Sequence, residues 1–400
     1  MSLALPIAGI RLGVAQAGIK KPDHDDLTVV ELAHGTAVSA VFTQNAFCAA
    51  PVRVAKAHLG VGYHRPTHLV INTGNANAGT GEPGMKAAFR TCEAVAQFGG
   101  ARANAVLPFS TGVIGEPLPV ERIEQALPDA FADLSSTGWE RASWAILTTD
   151  TRPKLTSREV TIDGDTVTIT GMAKGAGMLC PNMATMLAFI GTDAAVAKPV
   201  LDEALSQAVL ASFNRISVDG DTSTNDAAVL CATGKGDVAI GEDDFSAAAL
   251  FVDALTELCL ELAQGLVRDG EGVSKFVAVE VIGGRSQEEC DQIGYTIAHS
   301  PLVKTALFAS DPNWGRLLAA IGRAGLPDLV VEDVAIHIND VLIAEHGARA
   351  ASYTEEAGAA AMADEDLNIR VTLNRGEASG TIWTSDLSYD YVRINAEYRT

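Results

Sequence analysis

One segment of this 400-residue chain carries most of the residues that could do chemistry, the stretch GMAKGAGMLCPNMATMLAFIGTDA from Gly171 to Ala194. Glycines at 171, 175 and 177 allow close backbone approach or positive φ. Lys174 sets one cation among uncharged neighbours, and Pro181, Asn182 and Thr185 precede an apolar run. A phosphate-binding loop fits badly, because neither P-loop spacing nor GxGxxG is present. Read from residue types alone, the segment is a Gly-rich turn feeding a buried strand, with Lys174 reaching solvent. None of the eight histidines lies near it in sequence, so a hydroxyl-histidine triad has no local support. Asp219, Asp221 and Asp226 lie in FNRISVDGDTSTND (213–226), which lacks the glycine and glutamate spacing of an EF-hand and reads as a polar loop. The six cysteines are scattered without a C-x-x-C pair, as small apolar core residues of a reducing compartment would be. No metal site is expected.

The elements that must position this segment are mixed α and β. LTVVEL (27–32), TAVSAVFT (36–43) and THLVINTG (67–74) are short, β-branched and bounded by turn residues, as buried strands are. Met85–Phe98 repeats Ala88, Cys92, Val95 and Ala96 at helical spacing. EVTIDGDTVTIT (159–170) alternates on both sides of Asp163-Gly164 and predicts a hairpin. Pro199–Ser212 and Phe245–Val267 are predicted helices, the second with Leu250, Ala254, Leu258, Leu262 and Leu266 on one face and Gly270 as a stop. Strands FVAVEVI (276–282), VAIHI (334–338) and IRVTL (369–373) follow. At this length two lobes are expected. A net charge of −21, from 29 basic and 50 acidic residues, repels nucleic acid and anionic membrane surfaces. No apolar run approaches the roughly 20 residues that span a bilayer, and no basic region precedes the first apolar stretch, so the expected location is the cytoplasm.

KGAGMLCPNMATML resembles the signature of the ornithine acetyltransferase family, glutamate N-acetyltransferases of arginine biosynthesis. The resemblance implies self-cleavage at Ala184-Thr185, giving an α chain 1–184 and a β chain 185–400 whose new terminal residue, Thr185, is the nucleophile. A threonine hydroxyl needs a base beside it, and the freed α-amine, with a reference pKa of about 8, is one. FSTGVIG (109–115) resembles the family block whose Thr-Gly pair forms the oxyanion hole, here Thr111 and Gly112; on composition alone it is a helix cap or turn. TTDTRPK (148–154) implies a substrate-binding hydroxyl at Thr148, with Thr149 and Thr151 as rivals. DGEGVSKF (269–276) implies a substrate-binding Glu271, otherwise a solvated loop glutamate. DLSYDYVRINAEYRT (386–400) implies Asn395 and Thr400 as substrate ligands, in a tail that Tyr391, Val392 and Ile394 would pack. VFTQNAFCAAPV (41–52), INTGNANAGTG (71–81), FNRISVDGDTSTND and SPLVKTALFASDPNWGR (300–316) match family blocks in the same order.

The fold implied is a two-halved, four-layer α-β-β-α sandwich of the ornithine acetyltransferase and N-terminal-nucleophile-like aminopeptidase type, with mixed sheets. The reaction implied is ping-pong transfer of acetyl from N2-acetylornithine to glutamate. Lys174 is a plausible carboxylate partner, and Cys180, five residues before Thr185, reads as packed and inert. No bound cofactor is needed, and acetyl-CoA stays open as a co-substrate. The assembly implied is a heterotetramer of two α and two β chains. Two other readings stand beside it: a self-processing N-terminal-threonine amidohydrolase or aminopeptidase that gives the acyl group to water, and a non-catalytic amino-acid-binding protein.

Overall fold

The computed structural model describes residues 4–60, 65–180 and 186–397. The expected cleavage site Ala184-Thr185 and the substrate ligand Thr400 lie outside them. The chain divides into two compact units, the first made of Met1–Gly175, Pro181–Asn214 and Thr222–Leu266, the second of Ala176–Cys180, Arg215–Asp221 and Val267–Thr400. This is a division by packing, separate from the fragment boundary expected at Ala184.

In chain order, unit 1 begins with β1 (Ile10–Ala15), β2 (Leu27–Leu32), β3 (Ala37–Phe42), α1 (Ala50–Gly60), β4 (His68–Asn75), α2 (Gly81–Gly99) and β5 (Val106–Val113). It continues through α3 (Val120–Ala132), α4 (Trp139–Ala145), β6 (Lys154–Ile162), β7 (Asp165–Lys174), β8 (Leu187–Thr192), β9 (Ala195–Val196) and α5 (Lys198–Ala211). After the short β10 (Ile216–Ser217), which belongs to unit 2, come β11 (Ala227–Ala232), β12 (Ala239–Ile240) and α6 (Phe245–Arg268).

Two mixed sheets dominate unit 1, ordered β1-β2-β4-β5 and β3-β11-β8-β7-β6. Period-two alternation decides what each face meets. Val30, Leu32, Leu69, Ile71, Leu107 and Phe109 pack into a core shared with Met172, Leu187, Phe189 and Val229 of the second sheet. Phe109 and Phe189 meet edge to face there, centroids 5.1 Å apart. Leu27, Val29, Val70 and Val106 point the other way, onto α1, α2 and α3. On the far side α5 packs on β3 and β11. α6 comes so close to β7 that a Cβ on Gly171 would stand 2.8 Å from Leu258 Cδ2. Unit 1 by itself is therefore layered α-β-β-α.

Unit 2 continues with β13 (Phe276–Gly284), α7 (Gln287–Ala298), α8 (Pro301–Phe308), α9 (Trp314–Gly322), β14 (Ala335–Ile338), β15 (Val341–Glu345) and β16 (Ala348–Arg349). α10 (Glu355–Ala361), β17 (Asp366–Thr372), β18 (Ala378–Ser385) and α11 (Tyr389–Ala396) complete it. Its mixed sheet of seven strands runs β10-β18-β13-β17-β14-β15-β16. Val277, Val279, Val281, Ile369 and Val371 bury one face with Ile293, Ile297 and Leu317 of the helices. On the other face Glu280 and Arg370 pair at 2.6 Å.

The hairpin forms as expected, with Asp163 and Gly164 at φ 54° and 94°, the two positive values that a two-residue primed turn requires. Two details differ from the sequence pattern. Leu250 is 43% exposed, because the buried stripe of α6 runs through Phe251, Leu255, Leu258, Leu262 and Leu266 instead. Gly270 does not adopt positive φ; what it needs is room, since a Cβ there would lie 2.7 Å from Val273 Cγ2. Among the described residues no helix is long and apolar enough to cross a membrane, and no group of His, Cys, Asp or Glu is arranged to hold a metal ion.

Candidate active site

Lys174 ends β7, whose last six residues are all buried between β6 and β8. Its side chain therefore does not reach solvent, and the residue is 8% exposed. Nζ donates to Thr148 Oγ1 at 2.9 Å and to Thr111 Oγ1 at 3.1 Å. Three residues named from separate sequence blocks thus converge from β5, β7 and the loop between α4 and β6. Thr148, one of the three rival threonines, presents its hydroxyl to Lys174.

Asp150, which the sequence reading passed over, braces this cluster. Its Oδ1 accepts from Lys154 Nζ at 2.5 Å and from the Gly175 N–H at 2.7 Å, and its Oδ2 from the Thr148 N–H at 3.2 Å. Burial works to raise the pKa of this carboxyl. The charges of Lys174 and Lys154 and the bonds from Lys154 and Gly175 outweigh burial and hold it below the ordinary carboxylate range. Asp226 behaves oppositely. It is 4% exposed, and among the described residues its Oδ2 has no hydrogen-bond partner. Burial raises its pKa well above the usual value, against Ser223 and the Lys174 charge. The two carboxyls near Lys174 are thus pushed in opposite directions, Asp150 toward its charged form and Asp226 toward its neutral one.

Thr111 and Gly112 lie in β5 rather than in a helix cap or turn. β4 and β5 pair in parallel until Gly74, Asn75 and Gly112, where the register shifts. Gly112 has φ 135°, and a Cβ there would stand 2.3 Å from the Gly74 carbonyl carbon. Only glycine fits, because both the dihedral and the space exclude a side chain.

Glu271 and Asn395 belong to unit 2 and touch each other, Asn395 Nδ2 donating to Glu271 Oε2 at 2.7 Å. Glu271 is 7% exposed, so it is not a solvated loop residue. Its N–H donates to the Ala176 carbonyl at 2.8 Å. Gly177 lies against its carboxylate, where a Cβ would come within 2.5 Å of Oε2. Asp219 accepts from the Met178 and Leu179 N–H groups at 2.6 and 2.9 Å and from Tyr391 OH at 3.2 Å. It anchors the Met178–Leu179 segment. The tail forms α11, capped by Ser388, whose Oγ accepts from the Tyr391 N–H. The expected apolar packing of the tail is corrected at Val392, which is 60% exposed: polar bonds from Ser388, Tyr391 and Asn395 hold the helix instead.

Cys180 lies 3.4 Å from His299 Nε2, a contact that sequence separation concealed. Burial pushes its thiol up to about 11, so it stays protonated and is a poor nucleophile near neutral pH. Lys154 pairs with Asp150 four residues earlier across a loop that runs into β6, where the helical i,i+4 rule does not apply, so the spacing carried no signal. His299 and Asn225 had none either.

The sequence profile of the ArgJ family matches residues 11–400. The chain is 56% identical over 399 residues to the arginine biosynthesis bifunctional protein ArgJ of Pseudomonas syringae pv. tomato, covering 99% of this chain and 97% of that protein. It is also 56% identical over 398 residues to the protein of that name from Pseudomonas fluorescens, with coverage of 99% and 97%. Among solved structures, ArgJ of Bacillus halodurans is similar at 38% identity and TM-score 0.49, over 52% of this chain and 97% of that one. The ornithine acetyltransferase of Mycobacterium tuberculosis, solved with ornithine, is similar at 34% identity and TM-score 0.40, over 46% and 95%.

Proposed function

The chain belongs to the ArgJ family, and from that premise we propose that it acts in arginine biosynthesis by moving the acetyl group of N2-acetylornithine to glutamate through an acetyl-threonine at Thr185. Lys174, buried and donating to both Thr111 and Thr148, is the observation that carries this reading. A buried cation on two hydroxyls gives a place for the α-carboxylate that donor and acceptor share. Because the Thr111 hydroxyl accepts from Lys174, its own proton is left to face a developing oxyanion. Glu271, oriented by Asn395, supplies the negative group for the ornithine amine, with Thr400 as a further ligand.

Cleavage of the Ala184-Thr185 bond frees the α-amine of Thr185. That amine takes the hydroxyl proton as Oγ attacks the acetyl carbonyl, and Thr111 and Gly112 donate to the oxyanion. The C–N bond breaks, the proton passes to the departing nitrogen, and ornithine leaves an acetyl ester. The glutamate amine then attacks the ester and gives its proton to the Thr185 amine. Oγ departs, recovers that proton and releases N-acetylglutamate. Every proton is returned, so these steps need no cofactor. Acetyl-CoA can form the same ester, which would make it a second donor.

Intact mass spectrometry of wild type beside Thr185→Ala tests the reading. The expected wild type is two fragments meeting at Ala184-Thr185, with an acetyl increment on the second after acetylornithine and its loss after glutamate; the mutant stays whole and unlabelled. Acetyl-CoA alone tests the second donor, and native mass reports the expected two α and two β fragments. Donor turnover without glutamate would favour a hydrolase, and a whole wild-type chain that never gains acetyl would overturn the proposal.

A further inference from the structure

Asp219 reaches both sides of the Glu271 site, and no step above uses it. It stands two residues past β10, whose Ser217 carbonyl accepts from Thr384 Oγ1 of β18 at 2.8 Å. The Val218 N–H between them donates to the Leu179 carbonyl at 2.8 Å. The sheet of unit 2 therefore holds Asp219, and its partners belong to the same unit. Four donors meet its carboxylate. Oδ1 accepts from the Leu179 N–H at 2.9 Å and the Asp221 N–H at 3.2 Å, and Oδ2 from the Met178 N–H at 2.6 Å and Tyr391 OH at 3.2 Å.

The first side is the segment that lies against Glu271. Met178 has φ 53°, a left-handed conformation that a side chain disfavours. The N–H groups on either side of this residue's Cα, its own and that of Leu179, both end on Asp219, so charge-assisted bonds hold the turn. Gly177 just before it rests on the Glu271 carboxylate, and Ala176 accepts from the Glu271 N–H. A shift in the turn therefore moves the surface against which that carboxylate is set.

The second side is α11. Asn395 Nδ2 donates to Glu271 Oε2 at 2.7 Å and to the Tyr391 carbonyl, one turn earlier, at 3.0 Å. Tyr391 in turn ends on Asp219. Gly272 lets the helix start come close, since a Cβ there would stand 2.5 Å from the Tyr391 nitrogen.

We propose that Asp219 is a positioning residue for the acetyl donor: by fixing the Met178 turn and the terminal helix together, it aims the Glu271 carboxylate at the ornithine amine. This rests on the reading of Glu271 as the partner of that amine. A misaimed Glu271 weakens donor binding and leaves the acyl-transfer groups in place, so the damage falls on KM for acetylornithine.

The test is steady-state kinetics per cleaved enzyme for Asp219→Asn and Tyr391→Phe, each alone and combined with Glu271→Gln. Asparagine keeps the size but presents an NH2, so in either amide orientation at least one backbone N–H faces another donor. Asp219→Asn should raise KM for acetylornithine about fivefold, with kcat changed less and KM for glutamate within about twofold. Tyr391→Phe frees the helix arm alone and leaves every charge in place, and should raise the same KM about threefold. It carries the test should Asp219→Asn not fold or not cleave. In the Glu271→Gln background both effects should shrink to less than about twofold, because residues that act through one group are not additive. An unchanged KM for acetylornithine in either variant, or an equal rise for glutamate, would overturn the role. So would a rise that persists in full without the Glu271 charge, which is what the bare field of Asp219 on a cation would give. A wild-type KM in Glu271→Gln alone would instead sink the reading of Glu271, and a wild type that transfers no acetyl would sink the acetyltransferase reading as a whole.

Discussion

The surroundings of Lys174 and those of Glu271 hold a buried charge in different ways. Around Lys174 the partners come from β5, from the loop after α4 and from β6, and every one of Thr111, Thr148, Asp150 and Lys154 is within one unit. Around Glu271 the side-chain partner is Asn395, an exposed residue on the terminal helix. Strand-borne, cross-braced groups hold their geometry to a fraction of an ångström, whereas a bond to a surface helix yields cheaply. The first arrangement suits groups that must meet a transition state, and the second suits groups that must admit two different amino acids in turn.

Removing the brace should have the largest effect. Asp150→Ala leaves Lys154 and Lys174 buried without their shared carboxylate, at a cost of roughly 3–5 kcal/mol. The expected outcome is a large fall in Tm together with loss of acetyl transfer; a variant as stable as wild type would show that the lysines find other partners and that the cluster is not braced as described. Lys174→Met comes next. It keeps the stem in the β7 strand and removes the charge, and kcat/KM for both substrates should fall on the order of 10²-fold or more, as a buried charge-assisted contact to the carboxylate is lost. Equal loss for donor and acceptor is the informative part, because the α-carboxylate is the anionic group that both carry. A loss for one substrate alone would move Lys174 to the side-chain end of the pocket.

The contrast also explains how far the sequence could be read. β2 occupies the very residues 27–32 that β-branched composition marked, and the 163–164 turn forms where its residues demand it. These are local signals of period and turn chemistry. The resemblance by blocks named Thr111, Thr148 and Lys174, yet their meeting point spans 63 and 26 residues of chain and leaves no periodic trace. Asp150 was hidden because a carboxylate among threonines looks like any solvated loop acid, and only burial separates it from one. Leu250 and Val392 show the reverse error: spacing marks a stripe, but the stripe that is buried depends on how the element is rotated against its neighbours.

Glu271→Gln and Asn395→Ala probe the other side of the comparison and should act more gently. Glu271→Gln removes the charge that the ornithine amine would meet, so KM for acetylornithine should rise about tenfold with kcat changed less, and glutamate should suffer little. Asn395→Ala removes one exposed partner and should cost less again, within about threefold in KM, as single surface-exposed hydrogen bonds do. Were Asn395→Ala to damage kcat as much as Lys174→Met, the terminal helix would be as tightly coupled to the chemistry as the strands are, and the contrast would fail.

The smallest effect concerns charge alone. Asp150 and Asp226 both neighbour Lys174, and burial wins only at Asp226. A carboxyl whose folded pKa is raised keeps its proton to higher pH than the unfolded chain does. Wild-type stability therefore falls as pH rises from about 3.9, the unfolded value, to the folded-state value, and stays lower above it. Asparagine cannot ionise, so Asp226→Asn escapes this loss. Its Tm advantage over wild type should be smallest near pH 4, grow as pH rises through that window and then level off. Asp150 acts in the opposite sense and in a lower window: its contribution is present above the unfolded value and is lost as pH falls through its depressed folded value. Thermal unfolding of wild type and Asp226→Asn from pH 4 to pH 8 separates the two. Curves that run parallel over the whole range would mean that Asp226 titrates alike in the folded and unfolded chain, so that burial does not hold its proton and Lys174 and Ser223 offset the burial in full.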